Sequence, residues 1–340
     1  MVPQPAAAAC ATLARAGQRG ARRCATVPQM PPTRPAALTP ATIALLTLPP
    51  LLWAANAIVG RVAAPWIPPI TFNFLRWVIA GALLLPLATW VLRPDSGLWR
   101  NWRRFLLLGS LAVAGYNMLQ YLALHTSPPL NVTLVASSMP LWMMLVGRLF
   151  FGAPVLRQQL LGALLSLAGV LTVLTQGRLD NLLALRFVPG DGWMLAAALT
   201  WAGYSWLLTR RDEEAAIRAD WAAFLLAQTV FGLLVAGGLT AAEWTWLALA
   251  EPADMPTAIR WSWPLAGVLL FVAVGPSILA YRAWGAGVQR AGPTVAGFFT
   301  NLTPLFTAVM STLLLGEPPR GYHAVAFVLI VAGIAVSSRR

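Results

Sequence analysis

The chain contains no lysine. All 24 of its basic residues are arginine, they face 11 acidic residues, and charged residues make up only 10% of its 340 positions. A soluble domain keeps roughly a quarter of its residues charged to cover its surface, so a water-soluble enzyme is excluded, as is a disordered chain. Cysteine is nearly absent. Cys10 and Cys24 both precede the first apolar run, which excludes a disulfide framework and a zinc spacing. His125 and His323 stand far apart in the sequence without a cysteine nearby, so no metal site and no cofactor are expected. The formal net charge is +13, but its arginines sit in short stretches between apolar runs. No basic patch with interleaved aromatics occurs, and nucleic acid is not an expected partner.

What the chain has in abundance is apolar sequence: 58% of residues are hydrophobic and the mean hydropathy is +0.68. A bilayer core of about 30 Å takes roughly 20 apolar residues per helix. That length divides the chain into ten candidate transmembrane helices, near residues 41–60, 69–91, 104–124, 129–151, 157–175, 190–210, 219–241, 262–282, 293–315 and 321–338. The fold class is therefore an all-α membrane protein whose solvent is the lipid bilayer. Pro68-Pro69, Pro128-Pro129, Gly152-Ala153-Pro154, Gly292-Pro293 and Gly316-Glu317-Pro318-Pro319 mark the joints, because proline is tolerated in a first helical turn. Pro49-Pro50, Pro140, Pro276 and Pro304 fall inside segments and should kink or unwind them. Residues 1–39 are rich in Ala, Pro and Arg and lack acids. They read as a disordered cytoplasmic tail or as sequence ahead of a later start at Met30, although the composition also resembles an organellar transit peptide.

Arginine placement orients the segments. With the N-terminus in the cytoplasm, the tail arginines, Arg93, Arg100, Arg103, Arg104, Arg157, Arg210, Arg211, Arg218, Arg290, Arg339 and Arg340 all fall inside. Arg178, Arg186, Arg260 and Arg320 fall outside, with Glu243, Glu251 and Asp254 near Arg260. Cytoplasmic loops of inner-membrane proteins carry this excess. An even number of helices leaves both termini in the cytoplasm.

The chain also repeats itself. Residues 127–172 align without a gap on residues 291–336 at a constant offset of 164. Pro129 then meets Pro293, Pro140-Leu141 meets Pro304-Leu305, Gly152 meets Gly316, Pro154 meets Pro318, and Ala168-Gly169 meets Ala332-Gly333. Trp53-Ala54 pairs with Trp201-Ala202 at a slightly different offset. Two five-helix units result, over 41–175 and 190–338. Because five is odd, consecutive units insert in opposite orientations, and inverted repeats of this kind characterise secondary transporters with a site near the midplane.

Several short motifs point the same way: Leu52-Trp53-Ala54-Ala55-Asn56, Phe74-Leu75-Arg76-Trp77, Met139-Pro140-Leu141 with Gly152, Gly190-Asp191 with Leu199-Thr200-Trp201-Ala202, Leu302-Thr303-Pro304-Leu305, and Leu315-Gly316-Glu317-Pro318. In these the chain resembles the drug/metabolite transporter superfamily, specifically its EamA-type ten-helix exporters. The resemblance implies export of small metabolites, often amino acids, with aromatic amino-acid exporters among the plausible relatives. Members often carry Gly-Glu at the end of the fourth helix. Here it is Gly152-Ala153, whereas Gly316-Glu317 keeps the pair in the second half.

Polar residues inside spans usually face a bundle interior or a cavity. Asn56, Tyr116, Asn117, Gln120, Trp201, Tyr204, Tyr281 and Asn301 are the candidate substrate-binding residues, with Trp53, Asn131 and Trp284 at comparable positions. Tyr116 and Gln120 share one helical face and should oppose Trp201 and Tyr204. Ser137, Ser138 and Ser277 read as helix-packing residues, and Trp66, Trp90, Trp99, Trp261 and Trp263 as interfacial anchors. Arg76 has two readings: a structural arginine that caps carbonyls or lies at the headgroups, or a ligand for a substrate carboxylate. Asp191 and Glu317 fall at segment ends, so a simple carboxylate proton relay has no obvious member. The expected partner is a zwitterionic or neutral small molecule. A membrane-embedded enzyme would need a catalytic cluster that the sequence does not offer, and a non-transporting sensor would usually carry a soluble domain.

Overall fold

The computed structural model describes residues 38–178, 180, 186–250, 259–315 and 321–339. The N-terminal tail with both cysteines, the joint at 316–320 with Glu317 and Arg320, and the acidic residues Glu251 and Asp254 lie outside the described residues. Those described form helices and connecting turns, with no strand among them. In chain order the helices are α1 (Pro40–Ala63), α2 (Pro69–Ala88), α3 (Trp102–Gly109), α4 (Tyr116–Thr126), α5 (Pro129–Ser137), α6 (Met139–Phe151), α7 (Arg157–Leu174) and α8 (Pro189–Leu207). They continue with α9 (Ala215–Ala219), α10 (Trp221–Ala250), α11 (Trp263–Val272), α12 (Ala280–Ala291), α13 (Pro293–Phe299), α14 (Leu302–Leu315) and α15 (Gly321–Ser337).

Proline sets many of the boundaries. Pro40, Pro69, Pro129, Pro189 and Pro293 each open a helix, where the missing N–H has no partner to lose. Gly152 closes α6 in a left-handed conformation at φ 65°, and the next amide, Ala153 N, donates to Gly147 O. Inside segments the prolines behave differently from one another. Pro49 and Pro50 lie within an unbroken α1. Pro140 follows a 45° bend between α5 and α6 at Ser138, and Pro304 follows the interruption between α13 and α14 at Thr300 and Asn301. In both cases the ring displaces the carbonyl four residues earlier and removes one hydrogen bond.

Two stretches are wound more widely than an α-helix. Ser110–Gly115 joins α3 to α4, and Ala273–Leu279, which contains Pro276, joins α11 to α12; both are π-helical. Wide turns of this kind disturb the regular backbone ladder and occur often at functional sites. Side chains from neighbouring helices take up carbonyls of both stretches. Tyr281 Oη donates to Ala112 O at 2.7 Å, Asn73 Nδ2 to Val113 O at 3.0 Å, and Trp53 Nε1 to Pro276 O at 3.3 Å.

Among the described residues six helical segments are individually long and apolar enough to cross a bilayer, and a seventh results if bent α5 and α6 form one span. The expected ten therefore do not all meet that criterion singly, for identifiable reasons. α13 and α14 are interrupted, α15 has 17 residues, and α8 spends its length on Gly190, Asp191, Trp193, Thr200, Trp201, Tyr204 and Ser205. One boundary also moves. The seventh segment, expected to stop near residue 241, continues as α10 to Ala250 through Glu243, because that carboxylate is neutralised by another helix, as described below.

Small residues set the closest approaches. A Cβ on Gly109 would lie 2.3 Å from Gln228 O, so only glycine lets the start of the first wide stretch press against α10. α7 and α15 meet over Gly162, Ser166 and Gly333, where a Cβ on Gly162 would lie 2.6 Å from Gly333 O. Close backbone approach through small residues is the usual packing device in lipid, where apolar burial alone gives no preference. Ser137, Ser138 and Ser277 contribute differently from expectation. Their hydroxyls donate back to Leu134 O, Val135 O and Val272 O on the same stretch of chain.

Candidate functional site

Six aromatic side chains gather around Trp201 of α8. The ring centroid of Trp201 lies 5.2 Å from Trp53, 5.2 Å from Tyr116, 5.2 Å from Tyr204, 5.5 Å from Tyr281 and 5.5 Å from Trp284. Trp77 joins through Tyr281 at 4.9 Å. The rings come from α1, α2, α4, α8 and α12. Edge-on and tilted arrangements at these separations are favourable for aromatic pairs, and they bring the rings into mutual contact in this conformation. Trp201, Tyr204, Tyr281 and Trp284 are all buried, while Tyr116 is half-buried. Trp284 Nε1 donates to Ser205 Oγ at 3.1 Å.

The expected residues thus fall into two groups. Tyr116, Trp201, Tyr204 and Tyr281 come together, with Tyr116 against Trp201. Asn56, Asn117, Gln120 and Asn301 make none of these ring contacts. Asn56 and Gln120 are half-buried, and Asn117 and Asn301 are buried. Asn131 has a separate role: its Nδ2 donates to Arg186 O at 2.8 Å and to Asp191 Oδ2 at 2.9 Å, at one end of the bundle. Arg76 is 2% exposed, which removes the headgroup reading. Its guanidinium carbon lies 5.6 Å from the Trp77 ring centroid.

Several buried polar atoms have no hydrogen-bond partner: Asn56 Oδ1, Asn73 Oδ1, Arg76 Nε and Nη1, Trp77 Nε1, Asn117 Nδ2, Gln228 Oε1 and both amide atoms of Asn301. An unpaired buried group carries its full desolvation penalty, and native proteins hold few of them. Sequence reasoning passed over Asn73, Trp77 and Gln228 as members of this set. A signal was available for Gln228, which stands in the middle of the long apolar stretch that forms α10.

At the ends of the bundle, carboxylates lie against helix N-termini and arginines. No side chain of its own caps α2; instead Glu243 of α10 accepts from Ile70 N at 2.9 Å, Thr71 N at 2.7 Å and Thr71 Oγ1 at 2.6 Å. Trp244 Nε1 adds a bond to Thr71 Oγ1 at 2.9 Å. At the opposite end, Asp220 accepts from Ala222 N and Ala223 N at the start of α10, and Trp90, just beyond α2, donates to Asp220 Oδ2 at 3.0 Å. The pair α2 and α10 is therefore joined at each end by a carboxylate on a helix N-terminus and an indole N–H, an arrangement that the helix dipole favours. Beside Asp220, Glu213 lies fully buried between Arg104 and Arg218, each at 2.5 Å. The two arginines also donate to Leu207 O, Leu208 O and Arg210 O at the end of α8. Asp191 accepts from Ser127 Oγ and from Val188 N at the start of α8.

A known family matches this chain twice, over residues 40–175 and 188–339. The chain belongs to the EamA-like transporter family. It is a multi-pass membrane protein, and the two matched stretches span both halves of the sequence repeat. Among its relatives, "Aromatic amino acid exporter YddG" of Ancylobacter novellus is 27% identical over 85% of this chain and 93% of that protein. "Probable amino-acid metabolite efflux pump" of Salmonella typhimurium is 26% identical over 87% and 93%. "Uncharacterized transporter YyaM" of Bacillus subtilis is 25% identical over 72% and 75%. A protein of known crystal structure shares the fold, with a TM-score of 0.66 at 22% identity over 89% of this chain and 98% of that one.

Proposed function

We propose that the protein is a secondary transporter of the cell membrane that exports small zwitterionic or neutral metabolites, amino acids among them, by alternating access. The observation that carries this reading is the cluster around Trp201. Rings from the first half (Trp53, Trp77, Tyr116) and the second half (Trp201, Tyr204, Tyr281, Trp284) close on one another, and the two wide-turn stretches lie beside them. An aromatic surface with polar tips suits an amphipathic solute. A phosphorylated sugar would want several arginines or lysines at its phosphates, and Arg76 stands without another arginine among the candidate residues. The relatives named as amino-acid exporters support the same class of cargo.

In this reading the bundle is ten segments in two inverted units, over 41–175 and 190–338. Corresponding irregularities support it. Gly115 and Leu279, which end the two wide stretches, are related by the same offset as Pro140 and Pro304, which follow the two helix breaks. Units of opposite orientation can exchange conformations, so that outward-open and inward-open states have similar energies. Reporter fusions at Gly97, Glu214 and Arg340 should be cytoplasmic, and fusions at Asn181 and Asp254 external; inversion at any two of these refutes the arrangement.

The functional test is flux into proteoliposomes of purified protein, with the twenty labelled amino acids and a phosphorylated sugar as the panel. Saturable flux of at least one amino acid is the expected result. Exchange of the phosphorylated sugar, or no flux with folded protein, refutes the reading.

A further inference from the structure

We infer that one face of α2 reads the zwitterionic head of the solute, with Arg76 and Trp77 taking its carboxylate and Asn73 its ammonium group. This rests on the transporter reading and narrows it to solutes with a free carboxylate beside an amine. Among the described residues, the charge of Arg76 has no counter-charge. Arg76 is 2% exposed, its Nε and Nη1 have no hydrogen-bond partner, and among the described residues no carboxylate forms an ion pair with it. Elsewhere in the protein buried charge is matched, as Glu213 is between Arg104 and Arg218. An intramembrane arginine without a partner is expensive to keep, so the missing acceptor is informative.

The next residue supplies a second vacant donor. Trp77 Nε1 is buried without a partner, and the Trp77 ring lies 5.6 Å from the guanidinium carbon and 4.9 Å from the Tyr281 ring, at the edge of the aromatic cluster. An indole N–H and a guanidinium donate and cannot accept. Only an acceptor-rich group satisfies both, and a carboxylate accepts from an arginine with two oxygens at once.

Asn73 shares this helical face, three residues before Arg76. Its Nδ2 is committed to Val113 O, which fixes the amide and leaves Oδ1 buried and unfilled. A rise of about 1.5 Å per residue places the two residues about 4.5 Å apart along the axis. An α-amino acid carries its ammonium and carboxylate groups on one carbon atom, so two neighbouring side chains on one helical face suit the pair. Acceptor and donors thus follow one another on α2 in the order that a zwitterionic head requires, and the neighbouring rings remain for its side chain.

The test compares matched solutes. Each amino acid is measured beside the amine that lacks its carboxylate and the amide that neutralises it, by flux in proteoliposomes and by the melting temperature of the solubilised protein. At least one free amino acid should be transported and should raise the melting temperature, with the matched amine and amide weaker by roughly tenfold or more, as loss of a charged hydrogen bond requires. Arg76→Gln should erase that difference and should raise the melting temperature of the ligand-free protein, because an uncompensated charge is gone. Arg76→Lys should keep part of the discrimination. Equal transport of acid and amine by the natural protein overturns the inference while transport itself stands. A carboxylate-dependent melting shift without flux upholds the subsite and refutes transport. Loss of stability in Arg76→Gln, with the preference for free acids retained, overturns the inference in favour of a structural arginine.

Discussion

The ends and the centre of this helical bundle treat polar groups in opposite ways. At the ends, carboxylates meet helix N-termini or arginines: Glu243 on α2, Asp220 on α10, Asp191 on α8, and Glu213 between Arg104 and Arg218. Inside the helical segments, Asn73, Arg76, Trp77, Asn117 and Gln228 each leave a buried atom without a hydrogen-bond partner. Completed contacts hold a fold together, whereas incomplete ones reduce stability and persist where function needs them. In the proposed reading, the difference separates the groups that tie helices together from those that would meet a solute.

Substitutions can break this contrast from either side. The largest effect is expected for Glu213→Ala, which removes the buried carboxylate shared by Arg104 and Arg218 and leaves Arg104 only its pair with Asp212; loss of one partner from a buried pair costs up to about 3–5 kcal/mol, measured as a fall in melting temperature with flux lost only as folded protein is lost. Glu243→Ala comes next. It removes the cap that α10 lends to α2, and loss of a helix N-cap costs about 0.5–2 kcal/mol; Glu243→Gln should recover part, since its amide oxygen still accepts. In the centre the order reverses. Gln228→Met should leave the melting temperature near that of the natural protein or raise it, because an orphan acceptor is removed, and should reduce flux per folded molecule. Tyr204→Phe is the matched change beside it, with an expected loss of about 0.5–1.5 kcal/mol in solute affinity. Tyr204→Ala is less informative, since the side chain is 1% exposed and its removal opens a cavity. The smallest effect is expected for Asp180→Ala, whose ion pair with Arg178 is exposed on both sides; surface pairs of this type contribute little, and neither melting temperature nor flux should change.

Much of the frame was legible in the sequence because its signals are local. Proline opens α2, α5 and α13 at joints that the sequence marks, and Pro140 and Pro304 each follow a break, since the missing N–H acts within one turn. Glu243 was misread for the opposite reason. A carboxylate near residue 241 looks like the end of a span until α2 brings its N-terminus to that side chain, a contact between residues far apart in sequence. The same limit applies in the centre. Tyr116, Trp201, Tyr204 and Tyr281 could be nominated from spacing, but Trp77 and Asn73 gain their significance only from neighbours on other helices. Trp90, expected at the lipid interface, also donates to Asp220, a contact that the sequence does not show.

The most direct test is flux per folded molecule, measured with melting temperature on the same purified samples of Glu243→Gln and Gln228→Met. The expected result is a lower melting temperature with unchanged flux per folded molecule for Glu243→Gln, and an unchanged or higher melting temperature with reduced flux for Gln228→Met. Flux that follows stability alone in both variants would contradict the division between ends that hold the fold and a centre that binds the solute.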